Sequence, residues 1–143
     1  MSIGATSSTQ NRLSIDANLT NLTAIGTAGS TVQSAAFDTG DNSDGFFPEA
    51  VELIVSVPAC PSLAAPGVAT SLTFTILADT ASTPTTALPL TFTVAGTAGT
   101  GSAAVTKNFR LPGSTARYLA VQCAAGANAG NNSAISFTTS LAF

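Results

Sequence analysis

The groups in this sequence best suited to chemistry are seven carboxylates, two cysteines and one glycine-rich stretch, because the chain has no histidine. Without imidazole there is no Ser-His or Cys-His nucleophile system, and the commonest metal ligand is missing as well. Asp38, Asp41, Asp44, Glu49 and Glu52 lie close enough in sequence to raise paired-carboxylate glycoside chemistry. Sugar sites lean on aromatic platforms, however, and here there is one tyrosine, no tryptophan and eight phenylalanines, mostly on core parity. The expectation is no enzyme and no cofactor.

Three narrower motifs lead to the same place. The acidic run Asp38 to Gly45 invites a calcium reading, since clustered carboxylates suit hard cations. Aligning Asp44 and Gly45 with the fifth and sixth positions of an EF-hand loop puts Gly40 first and Val51 twelfth, where carboxylates are required. A solvated loop between strands accounts for it better. Gly99, Gly101 and Ala104 have loose dinucleotide-motif spacing, but an alternating strand follows them instead of a helix, so a hairpin loop is expected. Cys60 and Cys123 read as two small buried hydrophobes, with a bridge between them as the alternative.

The elements that would carry any site follow from composition and periodicity. At 143 residues the chain fits one domain, and it is 45 % apolar but only 8 % charged, with Ala, Thr, Ser and Gly dominant. Soluble domains carry about a quarter charged residues, so a surface this poor in charge resembles the inner part of an interface. The net charge is −3 and the only cations are Arg12, Lys107, Arg110 and Arg117. Four scattered cations make no basic stripe, so nucleic acid is not an expected partner. The charge-free run from Leu53 to Ala78 is interrupted by Pro58, Pro61 and Pro66, so no membrane span is expected either. The first fifteen residues lack the basic and apolar regions of a secretory signal, and retention in the compartment of synthesis is expected.

Seven stretches show strand character with bulky apolar residues at alternate positions. They are Thr31 to Phe37, Ala50 to Val57, Ser71 to Ala78, Leu90 to Val94, Ala103 to Leu111, Arg117 to Ala124 and Ser133 to Phe143. The parity predicts burial of Val51, Leu53, Val55, Leu72, Phe74, Ile76, Leu90, Phe92, Phe109, Leu119, Val121, Ile135 and Phe137. Lys107 falls on the apolar parity of its strand and is expected to reach the rim. Gly, Pro, Asn and Asp punctuate every gap. The expected fold is all-β, an antiparallel β-sandwich of jelly-roll type spanning residues 31–143. Residues 1–30 are polar and low in complexity, and an extended N-terminal arm is expected there. Its anchors for a neighbouring chain would be the apolar Ile3, Leu13, Ile15, Leu19 and Leu22, with Arg12 as a polar contact.

The order of these segments carries a resemblance. Ser14 to Thr20 leads through Gly26 to Val32 and the acidic loop into AVELIVSV. There follow SLTFTILADTASTP from Ser71, NFRLPGSTARYLAVQ from Asn108, and a closing FTTSLAF. Over residues 13–143 the chain resembles the capsid cement, or decoration, proteins of tailed bacteriophages. The resemblance implies a jelly roll made in the host cytoplasm that sits on the outer capsid surface of the virion and bridges neighbouring major capsid protein subunits. It also implies self-association, a homodimer in preference to a trimer. The rival expectation is a host-attachment or head-fibre module that binds glycans, which would place aromatics on exposed loops.

Overall fold

A computed structural model describes residues 20–39, 52–64, 70–112 and 115–142. Nine strands form there: β1 (Thr20–Ala24), β2 (Thr31–Gln33), β3 (Phe37–Asp38), β4 (Glu52–Val57), β5 (Ser71–Asp79), β6 (Ala87–Ala95), β7 (Val105–Arg110), β8 (Tyr118–Ala125) and β9 (Ser136–Ala142). All pairings are antiparallel. One sheet has the order β1-β9-β4-β7, and the other has β2-β8-β5-β6 with β3 also paired to β8. The fold is an all-β sandwich, as expected.

Alternation explains the packing. In β4 the buried positions are Leu53, Val55 and Val57, while Glu52, Ile54 and Ser56 face outward and stay half-buried. The inward faces of both sheets meet in one core that contains Leu53, Val55, Leu72, Phe74, Ile76, Leu119, Val121 and Phe137. Phe74 stands at its centre, stacked on Phe92 at 4.8 Å between ring centroids. It also meets Phe137 of the opposite sheet edge-on at 5.2 Å. Such aromatic pairs add about 0.5–1.5 kcal/mol beyond their burial.

Departures from the expected pattern have local causes. Leu90, Phe109 and Ile135 are only half-buried against the core. Phe109 and Leu90 lie on β7 and β6, edge strands that among the described residues have a neighbour on one side only, and Phe109 tilts toward Phe92 at 5.9 Å. Ile135 precedes β9 in a turn and exchanges backbone bonds with Ile25 and Asn132. The expected strand from Thr31 to Phe37 is broken at Ser34, whose hydroxyl accepts the Val121 N–H at 2.9 Å. In β5 the register shifts between Thr75 and Leu77, so Ile76, Leu77 and Ala78 are buried in succession. Val51 lies outside the described residues.

The stretch read as an arm contributes a strand. Thr20–Ala24 pair with Ser136–Ser140 at one edge of the four-stranded sheet, and Ile25 is fully buried. The glycine-rich stretch is a backbone device: Thr97 and Gly101 exchange both backbone bonds, and Cys60 and Ser102 do likewise. Gly101 has φ +79, and a Cβ there would sit 2.4 Å from the Cys60 carbonyl oxygen. Only glycine fits that turn.

Candidate interaction surfaces

Of the expected contact residues, Ile3, Arg12, Leu13, Ile15 and Leu19 lie outside the described residues. Leu22 is on β1, and its side chain is 73 % exposed, the one large hydrophobic residue so exposed among those described. It points outward because the β1 parity sends Asn21 and Thr23 toward the sandwich. Asn21 donates its side-chain amide to the Ala35 carbonyl at 3.0 Å, which ties this strand to the loop after β2.

The register turns each sheet's outer face into rows of matched side chains. On the four-stranded sheet, Leu22, Thr138, Ser56 and Thr106 form one row, and the Ser56 and Thr106 hydroxyls bond at 2.9 Å. Its charges are confined to the far end, where Arg110 approaches Glu52 at 3.8 Å and Asn108 donates to the same carboxylate at 3.5 Å. On the five-stranded sheet, one row is Thr93, Thr73, Ala124 and Thr31, and the next is Thr91, Thr75, Gln122 and Gln33. These two rows contain no charge. β-branched and small polar side chains suit a pleated surface, and their hydroxyls keep it wettable without charge.

The remaining polar groups act within the fold. Asp38, from the acidic run, receives a two-point contact from Arg117, at 2.6 Å from Nε and 2.8 Å from the terminal nitrogen. The Arg117 guanidinium also stacks over Tyr118 at 5.1 Å. A planar fork matched to a carboxylate in this way fixes the start of β8 against β3. Asp41 and Asp44 lie outside the described residues. Asp79 accepts the Thr80 backbone N–H, which holds its carboxyl below the ordinary range, and the Thr85 and Thr86 hydroxyls close the turn into β6. Among the described residues no three carboxylates or cysteines gather as a metal site. Cys60 and Cys123 are both buried free thiols. Burial raises both, and with Cys60 nearby Cys123 is pushed up to about 12.

The sheet edges differ sharply. β7 carries Lys107 and Arg110, both exposed. β2 and β3 are three and two residues long. β6 runs nine residues, ALPLTFTVA, with no charged side chain and one proline. Sequence reasoning found the strand but not its place at an edge, because strand order is a property of long-range pairing. No protein-family model, curated protein or solved structure matches the chain.

Proposed function

We propose that this protein is a structural cement for a phage head: it binds the outer surface of the shell, bridges neighbouring major capsid subunits and holds them against internal DNA pressure. The observation that carries the reading is the pair of broad outer sheet faces, built from hydroxyls, amides and small side chains with charge confined to one end of each, Glu52 and Arg110 on one sheet and Asp38, Asp79 and the adjoining Arg117 on the other. Faces depleted of charge resemble interface cores, where desolvating an unpaired ion is the main penalty. The acidic balance gives no attraction to DNA, which favours the outside of a shell over its lining.

The strand order supports the jelly-roll part of the reading. Apart from β2 to β3 and the β5–β6 hairpin, every connection passes from one sheet to the other, the wrapping that defines two nested Greek keys. No catalytic step is part of this proposal. A ligand that binds only the assembled, expanded shell stabilises it by mass action, and repetition over equivalent positions multiplies a modest contact energy.

The deciding measurement is heat-induced DNA release from particles with and without the protein, followed by add-back of purified protein. Particles lacking it assemble and package but release DNA at a lower temperature, and add-back restores the difference. Equal release temperatures, or failure of the purified protein to bind expanded shells, refute the cement reading and favour a glycan-binding attachment module.

A further inference from the structure

We infer that two copies of this chain join edge to edge through β6, antiparallel about a two-fold axis at Thr93, so that the two five-stranded sheets run on as one. This rests on the proposed function and deepens it, giving the homodimer that the resemblance implies a surface and a register. A sheet edge presents a row of unpaired N–H and C=O groups, and proteins that stay monomeric blunt such edges with charge, brevity or a covering segment. Three of the four edges here are blunted. β7 would bring Lys107 and Arg110 against their own copies, β2 and β3 are short and broken at Ser34, and five-residue β1 is tied through Asn21 to Ala35. β6 has one such device, Pro89 near its start, and residues 90–95 beyond it have none: among the described residues they pair only with β5.

The register follows from the direction of the backbone groups. The Gly96 N–H donates to the Thr70 carbonyl at 2.9 Å, and the Gly126 N–H to the Ser71 carbonyl at 2.9 Å. In an antiparallel ladder these directions alternate, so Phe92 and Val94 bond to β5 while Thr91, Thr93 and Ala95 aim their N–H and C=O groups at the open edge. Pro89 shares that outward parity, where the N–H it lacks would have faced solvent. A two-fold at Thr93 pairs Thr93 with its copy and Thr91 with Ala95, so that the N–H groups of all three residues donate across the seam, and leaves Pro89 and Ala87 beyond the paired segment. A two-fold at Thr91 would bring Ala95 against Ala87 but set Thr93 against Pro89 on both sides of the axis, leaving two Thr93 carbonyls without a donor in the middle of the ladder. An isologous contact also sets the strand against a second copy of itself, so its own like charges meet near the axis, which an uncharged strand tolerates and a cationic one does not.

The test uses the whole chain in solution, with mass measured by sedimentation equilibrium. Wild-type protein is expected to be a dimer, and Thr93→Pro, which removes both central N–H donors, is expected to weaken it about thirtyfold or more. Thr93→Lys provides a second break by placing two ammonium groups at the axis, while Thr73→Lys, on the same face but one strand inward, leaves the dimer intact. Oxidised Thr93→Cys protein is expected to cross-link as a dimer, because paired Cα atoms there lie about 5.5 Å apart. Thr73→Cys is not, since one further strand on each side adds about 4.8 Å twice. A monomeric wild-type protein, or a dimer that survives both Thr93→Pro and Thr93→Lys, overturns the edge pairing. Neither result touches the cement reading, which DNA release decides separately.

Discussion

Replacing Phe74 with alanine tests the core on which the sandwich depends. Phe74 is fully buried on the central strand β5, with Phe92 stacked on one side and Phe137 edge-on across the sheets. Truncating a buried phenylalanine costs about 3–5 kcal/mol through lost transfer energy and the cavity left behind. Two aromatic pairs go with the ring, each worth about 0.5–1.5 kcal/mol, which places the expected loss in the upper half, roughly 4–5 kcal/mol. For a chain of this size that is a fall in melting temperature of about 8–20 °C, and with a urea slope near 2 kcal/mol/M a midpoint lower by roughly 2 M. Urea unfolding followed by circular dichroism and by tyrosine fluorescence, at fixed protein concentration, measures it. Phe109→Ala is the internal control, since its half-buried ring on an edge strand should cost about half as much. If Phe74→Ala lost less than about 1.5 kcal/mol, or no more than Phe109→Ala, the aromatic cluster would not be the centre of the core.

Three further outcomes follow from buried polar groups and thiols. The Thr139 hydroxyl, beside Val55, is buried with no hydrogen-bond partner among the described residues, so Thr139→Val should stabilise by about 1 kcal/mol and raise the melting temperature by about 2–4 °C in calorimetry; a loss would reveal a partner for the hydroxyl. Cys123, raised from 9.0 to about 12 in the folded chain, holds its proton where the unfolded chain has released it, so its stabilising contribution is full below pH 9 and is lost as pH climbs toward 12. Wild-type protein should therefore lose stability relative to Cys123→Val across that window. In the native state neither thiol should react with a thiol reagent at neutral pH, and both should react on denaturation.

Much of the sandwich was legible because most strands are half-buried and alternate strictly. Leu53, Val55, Phe74, Phe92 and Val121 fall where period-two patterning places them. β1 was hidden because its one large hydrophobic residue faces solvent while Asn21 and Thr23 face inward, so its periodicity argues against a strand and only Ile25 belongs to the core. Phe109 and Leu90 were overcalled because parity reports which face a side chain takes, not whether its strand has neighbours on both sides. For the interaction surfaces, low charge could be read from composition, but not its distribution. That the two central rows of one face are free of charge depends on the registers joining β2, β8, β5 and β6. Of the residues expected to grip a partner, the structure bears on Leu22 alone, and it puts that side chain in water at the edge of the sheet.

The neutral edge and the charge-poor faces pose one problem for a free monomer and offer one solution. A nine-residue strand with open N–H and C=O groups and no charge is a template for indefinite pairing, and a wettable face with charge only at one end does little to keep copies apart. Closing the β6 edge about a two-fold axis consumes the template in a finite object, whereas a head-to-tail contact through the same strand would propagate. The proposed cement role then gains from the same step. A dimer carries two copies of every contact, and when both reach sites on a repeating shell the second binds at an effective concentration near millimolar, so avidity can exceed a single contact by about 10²–10⁴-fold. Binding through individually weak, uncharged contacts would thus stay negligible on an isolated capsid subunit and become strong only where the lattice presents two sites at the dimer's spacing. On that logic a dimer-breaking change such as Thr93→Lys should reduce shell occupancy far more than a single lost contact would, although residue 93 need never touch the shell.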